Sequence, residues 1–187
     1  VSVVKPLLQY VKLGVIVAIS AIYASPAFAN VDVPDQLSKL DAATHAGPLP
    51  GKTGFSDENG NIHDLKDFQG TVLLVNLWAT WCAPCVREMP DLNDLARAMS
   101  DKPFRVIAIS QDRGGAKDVQ AFYTENDIHD LDVALDPKGV LARSFKVRGL
   151  PTSILIGKDG NVIGYVEGVA PWADSAVIKY FTDLTND

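Results

Sequence analysis

Two stretches of the chain are almost wholly apolar in a way that fits buried strands. Val72–Trp78 reads VLLVNLW and Phe104–Ser110 reads FRVIAIS, both rich in β-branched residues. Runs of this length without polar alternation suit central strands covered on both faces. Between them, Leu92, Leu95, Ala96 and Met99 recur at helical spacing, which predicts a helix from Cys82 to about Met99. Pro90 falls inside it and is expected to kink it. A second helix is predicted over Ala116–Asn126, with Val119, Phe122 and Tyr123 on one face, then a short strand at Asp132–Leu135 and a short helix at Lys138–Phe145. Thr152–Ile156 and Val162–Val166 read as strands joined by Asp159-Gly160, and Trp172–Leu184 as a closing helix. Upstream, Gly54-Phe55-Ser56, Asn59-Gly60 and Ile62 carry a hairpin signal in which Asn-Gly favours a type I′ turn. Leu65–Phe68 fits a helical turn closed by Gly70. Alternating strands and helices predict right-handed crossovers and a sheet with helices on both faces.

The chain has two regions before this pattern begins. Residues 1–29 hold no acidic residue; Lys5 and Lys12 precede the apolar run Leu13–Tyr23, and Ala27 and Ala29 occupy the small positions of an A-x-A site. This is the layout of a secretory signal peptide cleaved after Ala29, with an uncleaved N-terminal membrane anchor as the alternative. Residues 30–47 read as a linker, with one short helix at Gln36–Ala43. The globular domain is placed at 48–187, and its expected location is the bacterial periplasm.

Composition narrows the function classes. The chain is 187 residues long with a formal charge of −6, so nucleic acid is not an expected partner. Only two cysteines occur, which excludes a disulfide-dense scaffold. Both lie in Trp81-Cys82-Ala83-Pro84-Cys85, directly after the first buried strand. A C-x-x-C between a buried strand and a helix reads as a thioredoxin-like redox motif. At a helix N-terminus, unpaired N–H groups and the helix dipole favour an anion, so the Cys82 thiol ionises more easily than a free one. Its thiolate attacks a substrate disulfide, and Cys85, one turn deeper, resolves the mixed disulfide.

Three plainer readings compete. As a staple, the four-residue loop would contribute only about 1.9 kcal/mol, against about 3 kcal/mol for fifteen residues. Zinc would find only half of a tetrahedral site, and His45, His63 and His129 are scattered and read as surface residues. Haem attachment needs C-x-x-C-H, and Val86 follows Cys85. No metal site is expected, and no cofactor beyond the Cys82–Cys85 disulfide itself.

At this level of detail, WATWCAPCVREMP resembles the active site of the TlpA/ResA/CcmG group of bacterial extracytoplasmic thiol–disulfide oxidoreductases. The preceding strand and Gly149-Leu150-Pro151-Thr152 fit the same pattern, and Asp57–Gly60 followed by LKDFQG resembles the group's N-terminal extension. The likeness covers roughly residues 46–185, and Arg87-Glu88-Met89-Pro90 leans toward the TlpA members. It implies a thioredoxin fold with an N-terminal β-hairpin extension and a central mixed sheet flanked by helices. It implies a cis-proline at Pro151, with Leu150 and Thr152 beside it and Trp81 as substrate contacts. Glu88 matches an acidic residue held near the active site, where burial would raise its pKa and let it exchange a proton with Cys85. The alternative is a solvated charge paired with a neighbour such as Arg87. Trp78 is expected in the core. Gln111, Asp112 and Arg113 are expected in an ordinary solvated loop. The resemblance further implies a monomeric or anchored enzyme that reduces protein disulfides in cytochrome maturation or copper-site assembly, fed by a membrane thiol-electron transporter. The rivals are a disulfide-introducing oxidase of the same fold and a non-enzymatic Cu(I)-binding module using Cys82 and Cys85.

Overall fold

The computed structural model describes residues 31–186. The expected signal segment, residues 1–29, lies outside the described residues. Strand β1 (Leu40–Asp41), helix α1 (Ala42–His45) and strand β2 (Gly47–Pro48) lead into the hairpin β3 (Gly54–Ser56) and β4 (Ile62–Asp64). The main body follows as β5 (Val72–Trp78), α2 (Ala83–Ala98), β6 (Phe104–Ser110), α3 (Ala116–Glu125), β7 (Ala134–Leu135) and α4 (Val140–Ser144). It closes with β8 (Thr152–Ile156), β9 (Asn161–Glu167) and α5 (Ser175–Asn186). One mixed sheet runs in the order β1-β9-β8-β5-β6-β7-β3-β4, with β2 also on β9. β6 is parallel to β5 and β7 to β6, as short helical crossovers require, while β8 lies antiparallel on the other side of β5. This is the thioredoxin-like architecture expected from the sequence.

All seven side chains of β5 are buried, and their alternation divides the core into two layers. Val72, Leu74 and Trp78 pack with Met89, Leu92 and Leu95 of α2 and with Phe181 of α5. Leu73, Val75 and Leu77 pack with Ile154 and Ile156 of β8 and Leu141 of α4 on the opposite face. Asn76 therefore points to the α2 side, in the middle of an apolar layer. Ser153 does likewise, because Asn76 and Ser153 are cross-strand partners in the β5–β8 register.

The structure departs from the sequence reading in three places outside the site. Residues 40–47, expected within a linker, form β1, a one-turn helix at Ala42–His45 rather than Gln36–Ala43, and the start of β2, with both strands on β9. Asp41 caps that helix by accepting a hydrogen bond from the Thr44 N–H. Gly164 lets the segment approach: a Cβ there would stand 3.0 Å from the Asp41 carbonyl oxygen and 3.1 Å from the Ala42 nitrogen. The β3–β4 connection is not type I′, which needs positive φ at two central residues. Only Gly60 has it, at 83°, and Gly60 N–H bonds the Asp57 carbonyl while Asp57 N–H bonds that of Asn61. That is a type I turn followed by a glycine bulge, fixed by the Asp57 carboxylate accepting from the Asn59 and Asn61 N–H groups. Finally, α5 starts at Ser175, so Trp172 sits in the loop ahead of it. Helix α2 continues through Pro90 to Ala98. Among the described residues no helix is long and apolar enough to cross a membrane.

Candidate active site

The site lies where β5 ends. Trp78 closes the strand inside the core, packed between Phe122 and Tyr123 with ring centroids 5.1 and 5.9 Å away. Three residues on, Trp81 is 70% exposed. Cys82 then serves as the N-cap of α2, with extended backbone, and Pro84 occupies the first turn, where its missing N–H costs nothing. Cys82 and Cys85 form a disulfide with Cα atoms 5.2 Å apart. Cys85 is fully buried, whereas Cys82 retains 6% exposure, so of the two cysteines it is the one open to solvent. The Cys85 N–H donates to Cys82 Sγ at 3.4 Å. One orphan N–H of the helix thus points at the atom that carries negative charge when the bond opens.

Two anchors hold this corner. The first is Asp112, which is not in a solvated loop as expected but 2% exposed. Its carboxylate accepts from the Thr80 N–H at 2.9 Å, the Thr80 hydroxyl at 2.7 Å and the Ser110 hydroxyl at 2.7 Å. The Gln111 N–H also donates to the Trp78 carbonyl at 2.8 Å. The end of β6 thereby fixes the loop that presents Trp81 and Cys82. The second anchor is the β8 side. The Leu150–Pro151 peptide is cis. Pairing of Leu77 with Thr152 puts Pro151 beside the end of β5, next to the cysteine turn. The Pro151 carbonyl accepts from the Gly168 N–H, and the Thr152 hydroxyl, itself buried, bonds the Gly149 carbonyl. Leu150 is partly exposed, and its backbone makes no hydrogen bond among the described residues.

Glu88 lies one turn beyond Cys85 on the same face of α2 and is 1% exposed. It is not paired with Arg87. Its carboxylate accepts from Asn76 Nδ2 at 2.9 Å, from the Trp172 indole N–H at 3.0 Å and from the Ala170 N–H at 3.4 Å. Burial raises its pKa above the ordinary glutamate value, against the pull of these three donors, and the neighbouring Asp91 adds to the rise. The structure thus gathers Cys82, Cys85, Glu88, Trp81 and the Leu150–Thr152 segment around one end of the sheet. Sequence reasoning missed Asn76, Ser153, Trp172 and Asp112. Asn76 was legible as the single polar residue in VLLVNLW. Trp172 and Ser153 carry no local signal, because only the fold brings them to Glu88. Among the described residues, no group of three or more His, Cys, Asp or Glu side chains is placed to hold a metal ion.

A disulfide turn at a helix N-terminus, on a mixed sheet of this order, defines a thioredoxin-like C-x-x-C protein. The Redoxin family model matches residues 24–181, and the chain belongs to the Redoxin family. It is 38% identical over 113 residues to the thiol-disulfide oxidoreductase ResA of Bacillus thuringiensis subsp. konkukian, covering 60% of this chain and 64% of the relative. ResA of Geobacillus kaustophilus is 30% identical over 114 residues, 61% of this chain and 64% of the relative. The matches thus span just under two thirds of these relatives' length. Among solved structures, a protein assigned as thiol:disulfide interchange protein DsbE from Chlorobium tepidum superposes with a TM-score of 0.65 at 28% identity. That match covers 75% of this chain and 97% of the other. A thiol:disulfide interchange protein from Bacteroides sp. gives a TM-score of 0.60 at 25% identity, covering 75% and 90%.

Proposed function

We propose that this protein is an extracytoplasmic thiol–disulfide oxidoreductase that reduces disulfides in protein substrates. The observation that carries the reading is the Cys85 N–H directed at Cys82 Sγ at the start of α2. In the reduced state the same geometry stabilises a Cys82 thiolate, and thiols so placed have pKa values of about 3.5–7.5 instead of about 8.5. An extended substrate chain meets three features on the outer face: the exposed Trp81 ring, the unpaired backbone of Leu150, and the sulfur of Cys82. The Cys82 thiolate attacks one sulfur of the substrate disulfide, and the other leaves as a thiolate. Glu88 takes the proton of the Cys85 thiol. Cys85 then attacks Cys82 Sγ and displaces the second substrate sulfur, leaving the Cys82–Cys85 disulfide and a reduced substrate. The electron pair travels on the two cysteines, with no separate cofactor.

The finer assignment follows from the likeness of WATWCAPCVREMP to the TlpA/ResA/CcmG group. It is export to the periplasm by the N-terminal segment, re-reduction by a membrane thiol-electron transporter, and service to cytochrome maturation or copper-site assembly as a monomer. Substrate trapping tests the reading. Cys85→Ser lacks the resolving thiol and accumulates mixed disulfides through Cys82, identifiable by mass spectrometry of periplasmic extracts; Cys82→Ser traps nothing and loses exchange activity. If Cys85→Ser captures no protein while the reduced wild type binds Cu(I) stoichiometrically, the reading is wrong. A reduction potential near −120 mV in place of one nearer −270 mV would reverse the direction of transfer.

A further inference from the structure

Glu88 has three hydrogen-bond partners, and they are not equivalent. The Trp172 indole and the Ala170 backbone can only donate, and both bond Oε2, which accepts whether or not Oε1 carries a proton. Asn76 is different, because its amide carries a donor and an acceptor of nearly equal size in one plane. Nδ2 donates to Glu88 Oε1 at 2.9 Å and also to Ser153 Oγ at 2.9 Å. Oδ1, equally buried, has no hydrogen-bond partner among the described residues. Asn76 and Ser153 are fixed opposite one another by the strand register, so neither can leave.

This arrangement has a second state of equal hydrogen-bond count. Once Glu88 holds a proton on Oε1, that oxygen becomes a donor and would face the Nδ2 hydrogens. A half-turn of the Asn76 amide about its last bond puts Oδ1 there instead. Oδ1 then accepts from Glu88 Oε1–H, and the Ser153 hydroxyl, free to rotate, donates to the same oxygen. We propose that Asn76 is a positioning residue whose amide reverses as Glu88 gains and loses its proton, with Ser153 reversing its hydroxyl in step. The inference rests on the reading of Glu88 as the proton acceptor of Cys85. Its consequence is that the buried carboxyl keeps a matched partner in both states, so the proton can move without leaving an unpaired group facing it. Of the elements packed on Glu88, β5 presents Asn76, β8 presents Ser153, and the loop before α5 presents Trp172 and the Ala170 backbone. None of these ionises. Its own helix supplies Asp91, which bears on it through charge, and the Cys85 thiol once the disulfide opens.

The test is an NMR titration of the oxidised full chain, following the Glu88 carboxyl carbon and the Asn76 side-chain amide together. The expected result is that the Asn76 amide shifts with the same midpoint as Glu88, and that contacts from its Nδ2 hydrogens to the Ser153 Cβ hydrogens, present at high pH, vanish at low pH. Glu88→Gln mimics the protonated acid, so in that variant the Asn76 amide holds the low-pH position at every pH. An Asn76 amide that keeps one shift and one set of contacts while Glu88 titrates overturns the proposal. In single-turnover resolution of a mixed disulfide, Asn76→Leu slows the step about tenfold and displaces its pH dependence. An unchanged profile in a folded Asn76→Leu protein also overturns it. If Glu88→Gln leaves the rate–pH profile of the wild type intact, the role of Glu88 fails, while the Asn76 amide titration still answers separately.

Discussion

Of the carboxylates buried at this end of the sheet, Asp112 and Glu88 are built for different work. Asp112 ties neighbouring pieces of chain together: every group it accepts from belongs to Thr80 or Ser110, and its own N–H returns to the Ser110 hydroxyl at 2.9 Å. Glu88 draws its partners from β5 and from the loop before α5, one helical turn from a cysteine. The number of hydrogen bonds does not separate the two, since each carboxylate accepts three. What separates them is the neighbourhood. Asp112 accepts from one backbone N–H and two hydroxyls, all on Thr80 or Ser110, so it holds a loop in place. Glu88 has a proton source beside it and one partner able to accept as well as donate. A buried charge is thus read by what its neighbours can do when its protonation changes.

Removing each carboxylate should break that comparison in opposite ways. Asp112→Ala leaves the Thr80 N–H and two hydroxyls without their acceptor and should cost about 2–4 kcal/mol of stability, seen as a lowered denaturant midpoint. A midpoint unchanged within error would remove Asp112 as the anchor of the cysteine loop. Glu88→Gln keeps the shape and should slow resolution of the mixed disulfide about 100-fold at neutral pH, measured by single-turnover quenching. Stability should move the other way. The native pKa of Glu88 lies above its unfolded value, so the native state holds the proton more tightly. Stability is then lost as pH rises from the ordinary glutamate range through the native value. Glu88→Gln cannot ionise. It should therefore melt at a higher temperature than wild type at pH 7, with the gap closing as pH falls below about 4.

Smaller effects sharpen the contrast. Trp172→Phe removes one donor to the anion and retains most of the packing. It should raise the Glu88 pKa further, moving the rate–pH profile upward with only a severalfold loss of rate. The exposed pair of Arg148 with Glu167, held by two hydrogen bonds at 3.0 and 2.6 Å, is the control. Arg148→Ala should leave the melting temperature unaltered within error, because solvent screens a pair so exposed.

Much of this was legible along the chain. VLLVNLW and FRVIAIS are strands with the bounds their runs suggested; every side chain of the first is buried, and every one of the second except Arg105. The cysteine turn was legible because strand, C-x-x-C and helix follow one another directly. Glu88 was half legible. Carrying the Leu92–Met99 stripe back by helical spacing passes through Met89, Glu88 and Cys85, which places a glutamate on the buried face. Its partners were not, since Asn76, Ser153 and Trp172 meet only through sheet register and chain closure. Asp112 looked like part of a polar loop, because nothing local distinguishes a carboxylate facing water from one facing Thr80. Residues 40–47 were misread as linker for a related reason. Two-residue strands carry no periodicity, and the space for them is made far away, at Gly164.

The account depends most on the state of one sulfur atom. The direct measurement is the rate of iodoacetamide alkylation of Cys82 in the reduced protein as a function of pH, with Cys85→Ser as the reference in which only Cys82 reacts. The account predicts a single ionisation below about 7.5 and rapid labelling at neutral pH. An ionisation near 8.5, or a thiol that does not react until the chain is unfolded, would contradict it.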